Sequence, residues 1–284
     1  MTRPIATDLT AGLSLKPEHY ADALACQANG LWLEVHPENY MVAGGPRLGW
    51  LEAIRARHPI SLHSVSLSLA GDAEPDPAHL ARLAALAERI EPALISEHLA
   101  WSHVAGQYFP DLLPFARTDE ALSRIAANVS RTQDALGRSI AIENPSHYLR
   151  LDDHDWDEID FLTALSQRTG CTLLLDINNV HVSASNLGYD AGAWLDRFPD
   201  ALVSEIHLAG HTMDPTLGAA LLIDSHDSPV SPDVWALLRR FIDRVGPKPT
   251  LIERDGNVPG FEALLTERQQ AGEALNRSPA SVRP

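Results

Sequence analysis

The chain has 284 residues, 45% of them hydrophobic and 21% charged, with a formal net charge of -16. That length suits one (β/α)-type barrel of about 250 residues with loops, and the composition excludes a disordered chain. The acidic balance disfavours a nucleic-acid backbone as partner, and no apolar run approaches the ~20 residues that span a bilayer.

The opening Met1-Thr2-Arg3-Pro4-Ile5 lacks the apolar stretch of a signal peptide, so a cytoplasmic protein is expected, with no nucleic-acid and no membrane partner. Cys26 and Cys171 are far apart and form no CxxC, which offers neither a disulfide framework nor a thiolate zinc site; both read as buried, reduced thiols.

Gly12-Leu13-Ser14-Leu15 is the first expected strand and Pro17 to Ala28 the first helix, with Pro17 where a missing N–H costs little. Leu31 to Val35 follows as a strand that ends on His36-Pro37-Glu38-Asn39, and a Gly/Pro loop leads to a helix from Trp50 to His58. The third strand is Ile60 to Val65, then a helix from His79 to Ile90, then a fourth strand from Ala93 to His98. A long loop through Asp111-Leu112-Leu113-Pro114 precedes the helix Asp119 to Leu136. Ser139 to Pro145 is the fifth strand, and an acidic loop with Asp152, Asp153, Asp155, Asp157 and Glu158 opens a helix that runs through Arg168. Its plain reading is a solvated loop with a helix N-cap.

The sixth strand, Leu173-Leu174-Leu175, is apolar on both faces and stops at Asp176-Ile177-Asn178-Asn179. Leu202 to His207 is the seventh strand and Pro249 to Glu253 the eighth, with the helix Pro232 to Val245 between them and a closing helix from Phe261 to Leu275. Short strands alternating with helices mean parallel βαβ units, and about eight of them mean an α/β fold of the TIM-barrel (β/α)8 type, one domain over 1–275 with 276–284 as a flexible tail. An open doubly wound sheet would normally carry a Gly-rich phosphate turn after its first strand, and this sequence has none.

In such a barrel the C-terminal strand ends converge on one mouth. His63, His98, Glu143, Asp176, His207 and Glu253 would meet there, one from each of six strand ends. Any one of them alone reads as an ordinary hydrogen-bonded residue. Three carboxylates and three imidazoles in one concave mouth, with no Lys or Arg at the strand ends, would repel and desolvate one another at a cost of several kcal/mol unless cations sat between them. Asp224 and His226, two residues apart in the segment before the eighth strand, and Asn179, three beyond Asp176, extend the set to two or three ions. Oxygen and imidazole donors without thiolate suit iron, manganese or zinc, and do not choose among them. Glu34, His36, Glu38 and Asn39 are expected to line the mouth, His211 to orient substrate or donate to a ligand, and Glu97 and Glu205 to be outward-facing salt-bridge residues.

The strings Glu34-Val35-His36-Pro37-Glu38-Asn39-Tyr40, Ser61-Leu62-His63, Ser96-Glu97-His98-Leu99-Ala100-Trp101, Ile142-Glu143-Asn144-Pro145, Leu175-Asp176-Ile177-Asn178-Asn179-Val180, Glu205 to His211 and Leu251-Ile252-Glu253 resemble the multinuclear non-heme iron-dependent oxidative enzymes, from about Gly12 to Leu265. The resemblance implies a TIM barrel related to endonuclease IV and xylose isomerase, with two or three irons at its mouth. It implies O2-dependent oxidation of cysteines in a ribosomally made precursor peptide, of the bufferin type that yields copper-binding peptides, with a separate protein presenting the peptide. By position, His63, His98 and Glu143 would hold one iron, Asp176, His207 and Glu253 a second, and Asn179, Asp224 and His226 a third, with Glu34, Asn144 and His211 as catalytic residues. Ser64, His181 and Arg254 depart from the residues usual in such enzymes, at positions expected to border the mouth.

Three other readings fit the same ligands. A multinuclear zinc hydrolase of the endonuclease IV type would want basic residues for a phosphate backbone, against the net charge of -16. A metal-dependent sugar isomerase would want a lysine near a two-metal site, and Lys16 and Lys248, the only lysines, are expected to lie away from the ligands. A metal-storage or scaffold module is the least compatible with so convergent a cluster.

Overall fold

The computed structural model describes residues 9–104 and 107–276. Eight parallel strands close into a barrel: β1 (Ala11–Ser14), β2 (Trp32–Val35), β3 (Ile60–Ser64), β4 (Leu94–His98), β7 (Ala141–Glu143), β8 (Thr172–Asp176), β9 (Val203–Leu208) and β12 (Thr250–Ile252). Closure is made by β1 on β12, where Gly12 lies opposite Leu251, and by β1 on β2, where Gly12 lies opposite Trp32. A Cβ at residue 12 would stand 2.4 Å from the Trp32 ring, so only glycine lets the indole fill the interior there.

The helices α1 (Tyr20–Ala25), α2 (Pro46–Arg55), α3 (Pro77–Ile90), α4 (Asp119–Leu136), α5 (Glu158–Thr169), α6 (Ile177–Leu187), α7 (Ala191–Arg197), α8 (Pro232–Val245) and α9 (Phe261–Leu275) form the outer layer. Their buried faces follow helical spacing, as in Val234, Trp235, Leu238, Phe241 and Ile242 of α8. The TIM-barrel expectation therefore holds, and with it most element positions.

Four local expectations change. The first helix begins as a 3-10 turn at Pro17–His19 and stops at Ala25, because Cys26 takes an extended conformation. The second starts at Pro46 rather than Trp50, with proline in its first turn. The long loop before Asp119 is a hairpin of β5 (Trp101–Val104) and β6 (Gln107–Leu113), and β10 (Thr212–Asp214) pairs with β11 (Gly218–Ile223) before Asp224. Between the sixth and seventh strands, where no helix is expected, Ile177-Asn178-Asn179 is the first turn of α6, entered directly from Asp176. Of the expected tail, residues 277–284 lie outside the described residues, and no helix of the described chain is long and apolar enough to cross a membrane.

Candidate metal centre

Strand register brings the first donors together. Pairing of β4 with β7 sets His98 opposite Glu143, and pairing of β8 with β9 sets Asp176 opposite His207. His63 Nδ1 is held by the Ser96 hydroxyl at 2.8 Å and His98 Nδ1 lies 3.3 Å from the Ser64 carbonyl, which leaves both Nε2 atoms facing inward. Those two nitrogens are 3.2 Å apart, and each lies 3.2 or 3.3 Å from Glu143 Oε2. With metal–ligand bonds of about 2.1 Å, donors on one ion stand about 3.0 to 3.4 Å apart, which is the size of this triangle. The hydrogen-bonded second nitrogen of each ring fixes its orientation, as ligating histidines require.

A second set lies beside it. Glu143, Asp176 and His207 each offer a donor atom within 4.8 Å of the other two, as do Asp176, His226 and Glu253. Glu253 Oε2 is 3.2 Å from His207 Nδ1 and 3.4 Å from His226 Nδ1. Asp176 uses one oxygen to cap α6, accepting from the Asn179 N–H at 2.6 Å, and presents the other inward. Asp224 is 2.7 Å from His226 Nε2 and accepts from Asn178 Nδ2 at 2.7 Å. Asn179 donates to Glu143 and to the Asn144 carbonyl, so its own oxygen is left facing the cluster.

The buried charge is what needs explaining. Burial opposes ionisation of Glu143 and Glu253, but the neighbouring imidazoles outweigh it and hold Glu143 at about 2 and Glu253 well below the usual range. Burial likewise opposes protonation of His98, yet Glu143 and Glu97 raise it to about 9, and carboxylates hold His207 and His226 well above an ordinary histidine. Asp176 is pushed well up by burial and by the Glu143 and Asp224 carboxylates. Glu143 Oε2, Asp176 Oδ2, Asn179 Oδ1 and both His207 nitrogens are buried without a hydrogen-bond partner. Buried polar atoms are seldom left so, and these are the atoms that face one another. The donor set fits divalent or trivalent cations, which would satisfy the orphaned atoms and remove the mutual repulsion.

Beneath this lies a second carboxylate layer. Glu34 accepts from the Ser61 hydroxyl at 2.7 Å and approaches His207 Nε2 at 3.3 Å. Glu205 is fully buried in the barrel, not outward-facing as its sequence position implies; burial and the Glu34 carboxylate push it up to about 8. Both influences favour the neutral acid, which an amide mimics. Glu205→Gln, an uncharged isostere, is expected to keep metal content and to change Tm by no more than about 2 °C, under 1 kcal/mol for a chain of this size; loss of metal in that variant would show Glu205 to act ionised. Glu97 is also buried and takes up the Leu67 N–H at 3.0 Å, anchoring the loop after β3.

All nine expected ligands sit in or directly against this cluster. Among the expected catalytic residues, Glu34 lines it, while Asn144 uses its amide to clamp the Asp176 backbone in both directions, at 2.9 and 3.1 Å. His211 lies at one remove, its Nδ1 2.8 Å from Asn178 Oδ1 and its ring 4.7 Å from that of His181. Arg254 turns away from the mouth and pairs with Glu267 on α9 at 2.8 Å. Two residues escaped the sequence reading. Asp255 groups with His36 and Glu253, and Lys16, expected away from the ligands, reaches Asp255 at 2.5 Å. Strand alternation continued one step past Glu253 would have placed Asp255 on the same face.

His226 reaches the cluster only because its backbone is held in the left-handed region at φ 48°. Its N–H donates to Gly210 O and its carbonyl accepts from the N–H groups of Asp255 and Gly256. A Cβ on Gly210 would stand 2.0 Å from Ser228 O, so the 210–228 contact admits only glycine. Gly210→Ala is expected to displace His226, with metal affinity reduced at least tenfold, in the range for disturbed supporting residues; unchanged affinity by metal titration would count against this pinning.

Residues 10–276 match the family described as RiPP precursor modification enzyme MbnB/TglH/ChrH. The chain belongs to that family. It is 61% identical over 272 residues to a UPF0276 protein of Caulobacter sp. (strain K31), covering 96% of this chain and 98% of that one. Among solved structures it resembles endonuclease IV from Thermus thermophilus, at 17% identity and TM-score 0.58 over 94% of this chain and 98% of that one. It also resembles D-psicose 3-epimerase from Clostridium cellulolyticum H10, at 11% identity and TM-score 0.58 over 94% and 97%. At such identities the two structures speak to the barrel alone.

Proposed function

We propose that this member of the family oxidises cysteine residues of a ribosomally synthesised precursor peptide, using O2 and two or three iron ions held by the barrel mouth. The observation that supports this most is the coincidence of the family match with a buried donor set whose inward atoms lack partners. His63, His98 and Glu143 would hold one ion and Asp176, His226 and Glu253 a second, with His207 beside Glu143 and Asp176; Asp224, against His226, and Asn179 would serve a third. Bound iron supplies the one-electron steps and the activation of O2.

The protein's own part is to orient, to keep water out and to move protons. His211 Nδ1 faces the oxygen of Asn178, because the Asn178 amide nitrogen donates to Asp224. Its Nδ1 is thus the protonated nitrogen and Nε2 carries a free lone pair. Burial and the adjacent His181 lower its basicity, so it is neutral near pH 7 and able to accept the substrate thiol proton at Nε2. Asn144 is assigned to positioning rather than to chemistry, since both its amide atoms hold Asp176. A separate protein that presents the peptide belongs to this reading, as does a bufferin-type, copper-binding product.

The test is intact mass of a cysteine-rich peptide co-expressed from beside this gene. Loss of hydrogen or gain of oxygen confined to cysteine-containing fragments is expected. An unmodified peptide with iron-loaded protein, or a zinc-only protein that cleaves abasic DNA, would overturn the assignment.

A further inference from the structure

A cavity of about 210 Å³ opens beside the metal centre and shares Glu34 and Glu253 with it; Lys16, Tyr20, His36, Asn39, Tyr40 and Arg47 are among its other lining residues. It is smaller than the ~300–1,000 Å³ that encloses a whole small ligand, and so is sized for one side chain or a chain terminus. Its two carboxylates belong to the metal cluster: Glu34 accepts from the Ser61 hydroxyl and lies 3.3 Å from His207, and Glu253 lies 3.2 Å from His207 and 3.4 Å from His226. What remains is donors. Lys16 gives one of its three N–H groups to Asp255. Arg47 is exposed and has no hydrogen bond or ion pair among the described residues. The Tyr20 and Tyr40 hydroxyls bond to each other at 2.6 Å, which uses one of their two protons.

A guanidinium without a partner among the described residues and a lysine with two N–H groups to spare stand out in a chain with 38 acidic and 22 basic residues. We propose that the cavity is an anion subsite that seats a substrate carboxylate within a few residues of the reacting cysteine, with Arg47 and Lys16 as its recognition groups. The inference rests on the peptide-oxidising reading and narrows its substrate class to peptides with a carboxylate near the thiol. A guanidinium grips a carboxylate through two parallel N–H bonds, and cations bound at Glu34 and Glu253 would remove the repulsion those residues offer an incoming anion.

Two sources of carboxylate share this chemistry, a chain terminus and an acidic side chain. Calorimetry of the iron-loaded protein under argon, where no turnover occurs, separates them with three probes: acetyl-cysteinyl-glycine as free acid, the same dipeptide as amide, and acetyl-cysteinyl-glycyl-aspartic acid α-amide, whose only carboxylate is that of the side chain. At least one acidic probe is expected to bind roughly tenfold tighter than the neutral amide, the scale of one charge-assisted pair. Gain by the free acid alone assigns a terminus, and gain by the aspartyl probe assigns a side chain. Arg47→Ala should reduce the gain to within about twofold and Arg47→Glu should reverse it, with iron content unchanged in both. Equal affinities, no binding by any probe, or a gain that survives Arg47→Ala would overturn the subsite. Iron content and the mass of the co-expressed peptide judge the oxidase reading separately.

Discussion

Replacing Asp176 by asparagine is expected to leave a folded barrel that has lost metal and peptide oxidation together. Asp176 contributes to two of the donor groups, and its free oxygen is buried without a partner, so no neighbour can take its place. The other oxygen caps α6. Asparagine caps a helix about as well as aspartate, whereas alanine forfeits about 1 kcal/mol. The pair Asp176→Asn and Asp176→Ala therefore separates helix stability from metal binding. Supporting residues around metal sites typically cost 10–100-fold in affinity when removed, and a direct ligand should exceed roughly 100-fold in both variants. His98→Ala, which opens the His63–Glu143 triangle, should behave alike. Full metal content and activity in Asp176→Asn would remove it from the centre.

Chelation is expected to lower Tm by about 5–10 °C, since a ligand present at about 100 times its Kd contributes about 2.7 kcal/mol and each kcal/mol is worth about 2–4 °C in a chain of this size. The metal-free protein should also answer to pH. The folded value of about 9 for His98 lies above its ordinary 6.5, so its contribution to stability is complete below 6.5 and is lost as pH rises through about 9. His207 and His226 are shifted the same way by their carboxylates. Metal must displace those protons, so affinity should rise with pH up to about 9 while metal-free stability falls over the same window. Calorimetric titration at pH 7 in two buffers of different ionisation enthalpy measures the protons released; a value of zero would mean that the histidines are not ligands.

Much of the barrel was legible because each strand is a short apolar run that ends on a charged or amide residue, and because α4, α8 and α9 carry helical spacing from end to end. The hairpins were not, since Trp101 to Leu113 and Thr212 to Ile223 lack clean alternation and contain turn residues at irregular offsets. Convergence of His63, His98, Glu143, Asp176, His207 and Glu253 followed from their strand-end positions alone. The partition among ions did not. It depends on a register shift between Leu173 and Leu174 against β9, and on the left-handed turn that carries His226 to Glu253. Neither has a signature in residue spacing. Glu205 was misplaced for a related reason: a glutamate in a strand normally faces solvent, and only closure of the barrel over Glu34 puts it inside.

Anomalous diffraction at the iron absorption edge, from crystals of the protein as purified, bears on the metal centre most directly. Peaks are expected inside the His63–His98–Glu143 triangle and between Asp176, His226 and Glu253. Crystals whose iron signal is absent from both positions, in protein that nevertheless modifies its peptide, would contradict it.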